Sequence, residues 1–476
     1  MCAADQPDKT KNVILRTDFF DPAKPRLLVL VCLGQILLIA LPFLVNDALA
    51  AILVLSLLSV IALFGSLTLS VLYLCFTAAV VPSWFYEDYL LLPLDLKFYE
   101  GLLFVVMGIA YLNYLLEGRW NWRRHTFLDR PMLVLLGLVV FSCLLGLIYG
   151  QSISQMLRDV RYPLYYTLFF VVTWFFDVRR FSTFLHLFLL IATIVGIEYL
   201  FEFLLQVDTD IAGGFVRVAR LEGIVLPMGM LIIAAILLFE TRAYRRAWAW
   251  SAILPIGLAL VLTMGRGMWI SLFVGLGSLA ALTVLDKQAP PRRLSRLIIV
   301  ALVPLLLLAM GYIFQQQTRA AVSDIALDRV TRSVEAVGGR LISYGKALEK
   351  IRQRPLLGGG HGETVTFLVT FPPPPEVLTV GAVDNVYLTI GMRMGLVGVA
   401  AFLWLFGFAL WRAYLLFQQS TDTRVRLFCA AFIAIYAALL VYGMADATLF
   451  ANRLIFIHAT FLGLIARLVA EEKNNA

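Results

Sequence analysis

The chain has 476 residues, of which 61% are hydrophobic and 15% charged, and its mean hydropathy is +0.87. A soluble domain is roughly half apolar and about a quarter charged, so this composition excludes a soluble globular protein and indicates an integral membrane protein. The net charge of +8 reads first as topology, because basic residues collect in the cytoplasmic loops of membrane proteins.

The first 25 residues are polar. They lack the small-residue cleavage pattern of a secretory signal and are read as a cytoplasmic tail. A helix needs about 20 apolar residues to cross a bilayer. Fourteen candidate spans follow, near 26–45, 47–64, 66–82, 97–116, 131–149, 162–178, 182–205, 221–240, 247–263, 267–285, 296–314, 385–411, 427–444 and 452–470, with 471–476 as a second cytoplasmic tail. The stretch 47–82 has almost no charge and could be one long helix or two short ones turning near Gly65 and Ser66. Two are expected, because only then do the basic loops GRWNWRRHTFLDR, VRRF, TRAYRR and DKQAPPRRLSR all fall inside the cell. The fold class expected is therefore an all-α polytopic membrane protein with about 14 transmembrane helices.

The same parity places residues 315–384 outside the cytoplasm. This long connection contains a helix-like section (325–352), the stretch RQRPLLGGGHGE (352–363) and the proline run FPPPPE, expected as extended polyproline II. A structureless loop of this length is uncommon, so it is read as a subdomain. Glycines 358, 359, 360 and 362 are not a phosphate-binding P-loop, because no strand precedes them and no Gly-Lys-Ser/Thr follows. A turn after a helix stop at Pro355 fits them better. None of the five cysteines (Cys2, Cys32, Cys75, Cys143 and Cys429) has ligand or CxxC spacing. No zinc, calcium or nucleic-acid motif is present, and neither a metal nor a cofactor is expected.

Several basic residues fall on the outer side, against the rule that explains the others: Arg158, Arg161, Arg217, Arg220, Arg266, Arg340 and Arg393. Each alone reads as a side chain snorkelling to lipid headgroups. Together they could line a pocket for a polyanion, since guanidinium grips phosphate through paired hydrogen bonds. Arg266 occupies a very short turn between two spans. Arg393 lies about two turns inside a span, where a charge requires a partner or a cavity. Glu198 and Glu202 form either an interfacial pair or the wall of a cleft. His361 and Asp384 are candidate general bases, while Asp384 and Asn385 also suit a helix N-cap.

An ordered set of motifs resembles the O-antigen ligase and O-antigen polymerase superfamily of bacterial membrane glycosyltransferases. It comprises RLEGIVLP (220–227), GRGMW (265–269), Gly339-Arg340 followed by Tyr344 and the PLLG run, and DNVYL (384–388) leading to GLVG (395–398). The resemblance implies a GT-C-type architecture and a transferase of the bacterial inner membrane with its site facing the periplasm; the mechanism expected is an inverting, metal-independent transfer. The donor implied is an undecaprenyl-diphosphate-linked glycan and the acceptor a glycan or lipid-linked chain, with membrane lipids and a chain-length regulator as partners. Carried onto this sequence, Arg266 and Arg340 would hold the diphosphate, and the reading of the outer arginines as one pocket adds Arg220 and Arg217. Asp384 stands where the ligases have a histidine, with His361 as the alternative base. Asn385, Arg393, Arg161 and Tyr344 would contribute secondary substrate contacts. That Asp favours an O-antigen or exopolysaccharide polymerase over a ligase that transfers to the lipid A core. A flippase for lipid-linked sugars is the rival outside enzymology.

Overall fold

The computed structural model describes residues 66–81, 91–92, 96–116, 125–205, 209–212, 215–218, 221–240, 242–263, 265–286, 340–369 and 376–475, with isolated helical positions between 296 and 309. The expected spans at 26–45 and 47–64, nearly all of 296–314, the proline run and most of the expected helix before residue 340 lie outside the described residues.

The elements in order are α1 (Leu67–Val80), β1 (Leu91–Leu92), β2 (Leu96–Lys97), α2 (Phe98–Leu116), α3 (Asp129–Ile148), α4 (Ile153–Leu164), α5 (Leu168–Phe175), α6 (Phe181–Leu205), β3 (Thr209–Ala212), β4 (Phe215–Val218), α7 (Val225–Phe239), α8 (Ala243–Leu262) and α9 (Arg266–Leu285). They are followed by α10 (340–353), β5 (Val365–Val369), β6 (Glu376–Val380), α11 (Val386–Gln419), α12 (Thr423–Tyr442) and α13 (Ile455–Asn475). The protein is mainly helical. Among the described residues, 7 helical segments are long and apolar enough to cross a membrane.

The all-α expectation needs one amendment. Three antiparallel hairpins, β1–β2, β3–β4 and β5–β6, join the helices. In β5–β6, the β-branched strands VTFLV and EVLTV flank the proline run and pair Val365 with Val380. Branched side chains favour the extended backbone, a signal masked in the sequence by the prolines beside it.

The core is built around α7, whose sequence VLPMGMLIIAAILLF is apolar on every side and buried along its whole length. A helix without a polar face must be enclosed, and α7 packs against α6, α8, α9 and α12. Small residues bring the backbones close, as at Gly229, where an added Cβ would lie 2.6 Å from Cβ of Ala192. Helix α9 lies along α12, and their far ends are tied by Asp286 and Arg426 at 2.5 Å. At the opposite end of the bundle, Arg453 pairs with Glu222 and Arg161 with Glu100 at 3.3 Å.

Helix α11 is interrupted at Gly395, where φ is +65° and ψ is −168°. The segment PLLGGGHG is threaded through this break. Amides of Gly359 and Gly360 donate to the carbonyls of Met392 and Arg393, while amides of Leu396 and Val397 donate to the carbonyls of Pro355 and Leu356. On the other side, the His361 amide donates to the Ser142 carbonyl of α3. Glycine is required here because a Cβ on Gly360, whose φ is +86°, would fall 2.3 Å from the Gly146 amide nitrogen, and one on Gly146 would fall 2.3 Å from the His361 carbonyl oxygen. The glycine run is therefore a mooring of the long connection onto α3 and α11.

Candidate functional site

The loop-bearing end of the bundle carries two groups of charged side chains, and they differ in burial. The first surrounds the mooring. Arg393 is 1% exposed, lies 3.0 Å from Asp159 of α4 and donates to the Gly381 carbonyl at 2.6 Å. Burial raises the Asp159 carboxyl and the Arg393 charge lowers it, with a net rise. Glu363 receives Lys350 at 2.5 Å and the Gln151 amide at 2.6 Å. His361 is fully buried, with Nδ1 2.9 Å from the Ser142 hydroxyl. His361 is thus a packing residue, buried and apart from the group described next.

The second group is open. Arg340, at the start of α10, donates through Nε to an Asp384 carboxylate oxygen at 3.0 Å, and both side chains are exposed. The N-cap of α11 is Asn385, whose side chain accepts from the Leu388 amide at 3.0 Å. The capping role weighed for Asp384 therefore belongs to its neighbour, and the Asp384 carboxylate faces outward. Tyr344 Oη donates to the Asp384 carbonyl and to the Met444 carbonyl, and Asn385 Nδ2 donates to the same Met444 oxygen at 3.0 Å. Helix α10, the start of α11 and the turn after α12 are joined at this point.

That turn carries Asp446, which the sequence reading passed over. Its carboxylate accepts from the Thr448 amide at 2.7 Å, from the Thr448 hydroxyl and from the Tyr442 hydroxyl at 3.3 Å. Burial raises its carboxyl from the ordinary value, the Thr448 hydrogen bond opposes this, and the nearby Asp384 charge adds to the rise. An aspartate in the short, apolar turn GMADATL was the signal available in the sequence.

Arg266 is the first residue of α9 and is exposed. The next residue, Gly267, sits so close to Tyr442 that a Cβ would lie 3.2 Å from the ring. Arg266 thereby borders the turn that holds Met444 and Asp446. The N-terminus of α9 adds its own partial positive charge there.

The remaining candidates are placed as follows. Arg161 is partly buried against Glu100, and Tyr344 acts through its hydroxyl on backbone carbonyls. Glu198 and Glu202 are buried on α6. Arg217 of β4 stands opposite Asp210 of β3. Arg220 lies outside the described residues. Among the described residues, no cluster of three or more His, Cys, Asp or Glu side chains could hold a metal ion.

Residues 250–403, which span α8, α9, the mooring, Arg340, Asp384 and the break in α11, match the family model described as O-antigen ligase. This match supports, over residues 250–403, the resemblance to the O-antigen ligase and polymerase superfamily. No curated protein matches the chain. The exposed Arg340–Asp384 pair lies inside the matched residues, whereas Asp446 lies beyond them, in the turn after α12.

Proposed function

We propose that this membrane protein is a glycosyltransferase that extends or transfers undecaprenyl-diphosphate-linked oligosaccharides at the periplasmic face of the bacterial inner membrane, acting as an O-antigen or exopolysaccharide polymerase of GT-C type with residues 315–384 as a periplasmic subdomain. The observation that carries this reading is the exposed ion pair between Arg340 and Asp384, 3.0 Å apart, within the family-matched region, with Arg266 next to Gly267, which packs on the turn that Tyr344 and Asn385 also bind.

An exposed ion pair contributes only about 0–1 kcal/mol, so a diphosphate can displace it at little cost. Arg340 and Arg266 then bind the phosphate oxygens, and Asp384 is released as a free carboxylate next to the reacting centre. The acceptor hydroxyl oxygen attacks the anomeric carbon, the bond from that carbon to the diphosphate breaks, and the diphosphate leaves with the electron pair. The hydroxyl proton passes to Asp384. The arginines stabilise the charge that develops on the leaving group, which accounts for an inverting transfer without a metal. Tyr344 and Asn385 hold Asp384 and Met444 in register rather than touching substrate.

The matched family's description favours the ligase reading, with the lipid A core as acceptor. The aspartate at position 384, where the ligases have histidine, favours polymerisation. The deciding experiment incubates purified protein with a lipid-linked oligosaccharide. A ladder of longer chains supports polymerase, transfer only when lipid A core is added supports ligase, and unchanged donor carried across a liposome supports a flippase and removes the transferase reading.

A further inference from the structure

The mooring places non-helical backbone at a definite depth. The exposed Arg130 marks one end of α3, which runs about 30 Å to Ile148 at roughly 1.5 Å per residue. Gly146, against which His361 and Gly360 are packed, lies about 24 Å along that helix from Arg130. Beyond it stands Ile148, apolar and 74% exposed. A hydrocarbon core of about 30 Å that covers Ile148 also covers the level of Gly146. Helix α11 gives the same placement independently. Arg412 stacks over Phe127, just before α3, at 5.3 Å, and Leu396 lies about 24 Å along α11 from Arg412.

Lipid-exposed backbone without hydrogen bonds is not tolerated at such depth, but non-helical backbone buried in protein is. The break at Gly395 meets that condition, because the amides and carbonyls it frees pair with those of Pro355 to Gly360. Two side chains of this segment still point outward: Leu356 is 65% and Leu357 41% exposed. They adjoin the exposed Leu396 and Val397, which continue the apolar surface of α11. Just before them in the chain come the exposed Arg352 and Arg354. The Arg354 guanidinium lies 3.6 Å from the centre of the Tyr149 ring, at the end of α3. Tyrosine and arginine at such a level suit the boundary between acyl chains and phosphates.

We propose that Pro355–Leu357 is a re-entrant hook, with Leu356 and Leu357 among the phospholipid acyl chains of the loop-side leaflet and Arg352 and Arg354 at its phosphates. The hook fixes the height of α10, and so of Arg340, above the bilayer. This assignment is independent of the proposed chemistry and of which face of the membrane is outward.

The test is depth measurement by electron paramagnetic resonance. Nitroxide is attached to Leu356→Cys, Leu357→Cys and, as a water-facing reference on α10, Lys346→Cys, in a chain whose five native cysteines are replaced by alanine. The proteins are placed singly in nanodiscs of phosphatidylethanolamine and phosphatidylglycerol. The expected result is a ratio of collisions with oxygen to collisions with a nickel chelate that is several-fold higher at 356 and 357 than at 346. Nickel access at 356 and 357 equal to that at 346 would overturn the hook. Dipolar broadening between labels in crowded proteoliposomes, combined with low oxygen access, would also overturn it, because the leucines would then face a second copy of the chain.

Discussion

The two charged groups at the loop-bearing end use the same residue types for opposite purposes. Around the mooring, Arg393, Asp159, Lys350, Glu363 and His361 are mostly enclosed, and each is committed to a partner on another segment. At the start of α10 and α11, Arg340 and Asp384 are exposed and, among the described residues, form their ion pair with one another. Buried pairs resist exchange because separating them strands a charge in a dry place, whereas exposed pairs exchange readily. Burial therefore separates the scaffold pairs from the pair proposed to carry the chemistry, and residue type alone does not.

The sharpest way to break this comparison is to strike the scaffold. Arg393→Ala leaves Asp159 buried beside an empty space, and loss of one partner of a buried pair costs about 3–5 kcal/mol. The folded, monodisperse yield by fluorescence-detected size exclusion should collapse. At the open group, Arg266→Ala and Arg340→Ala should each lower polymer formation by roughly 100- to 1000-fold, while the melting temperature moves by the equivalent of about 1 kcal/mol or less. Wild-type rates in both variants would remove the diphosphate pocket. Gly360→Ala puts a Cβ against the Gly146 backbone at a positive φ, and strain of about 1–3 kcal/mol should lower the melting temperature without changing the rate at a permissive temperature.

The seven long apolar helices among the described residues were legible because uninterrupted apolar runs of helical length have few alternatives. The start of α1 was legible too, as Ser66 caps it by accepting from the Leu69 amide. The break in α11 was not, because GMRMGLVG is as compatible with a continuous helix as with a broken one. What decides is the glycine segment docked against it. The cost of Arg393 inside a span was visible in the sequence, but its partner Asp159 lies on α4, and no local pattern links them. The pairing of Asp384 and Asn385 suggested a cap without saying which residue caps. Asp446 was missed because a lone carboxylate between two spans has no periodicity to expose it.

The most direct test of the central claim, that the open pair performs the transfer, is the rate of glycan extension by Asp384→Asn in proteoliposomes supplied with lipid-linked oligosaccharide. The substitution keeps the size of the side chain and leaves the Asn385 cap and the Tyr344 hydrogen bond to the Asp384 carbonyl in place. Loss of a proton-accepting carboxylate should slow extension by roughly 100- to 10,000-fold with an unchanged melting temperature. Ladders formed at the wild-type rate would contradict the account.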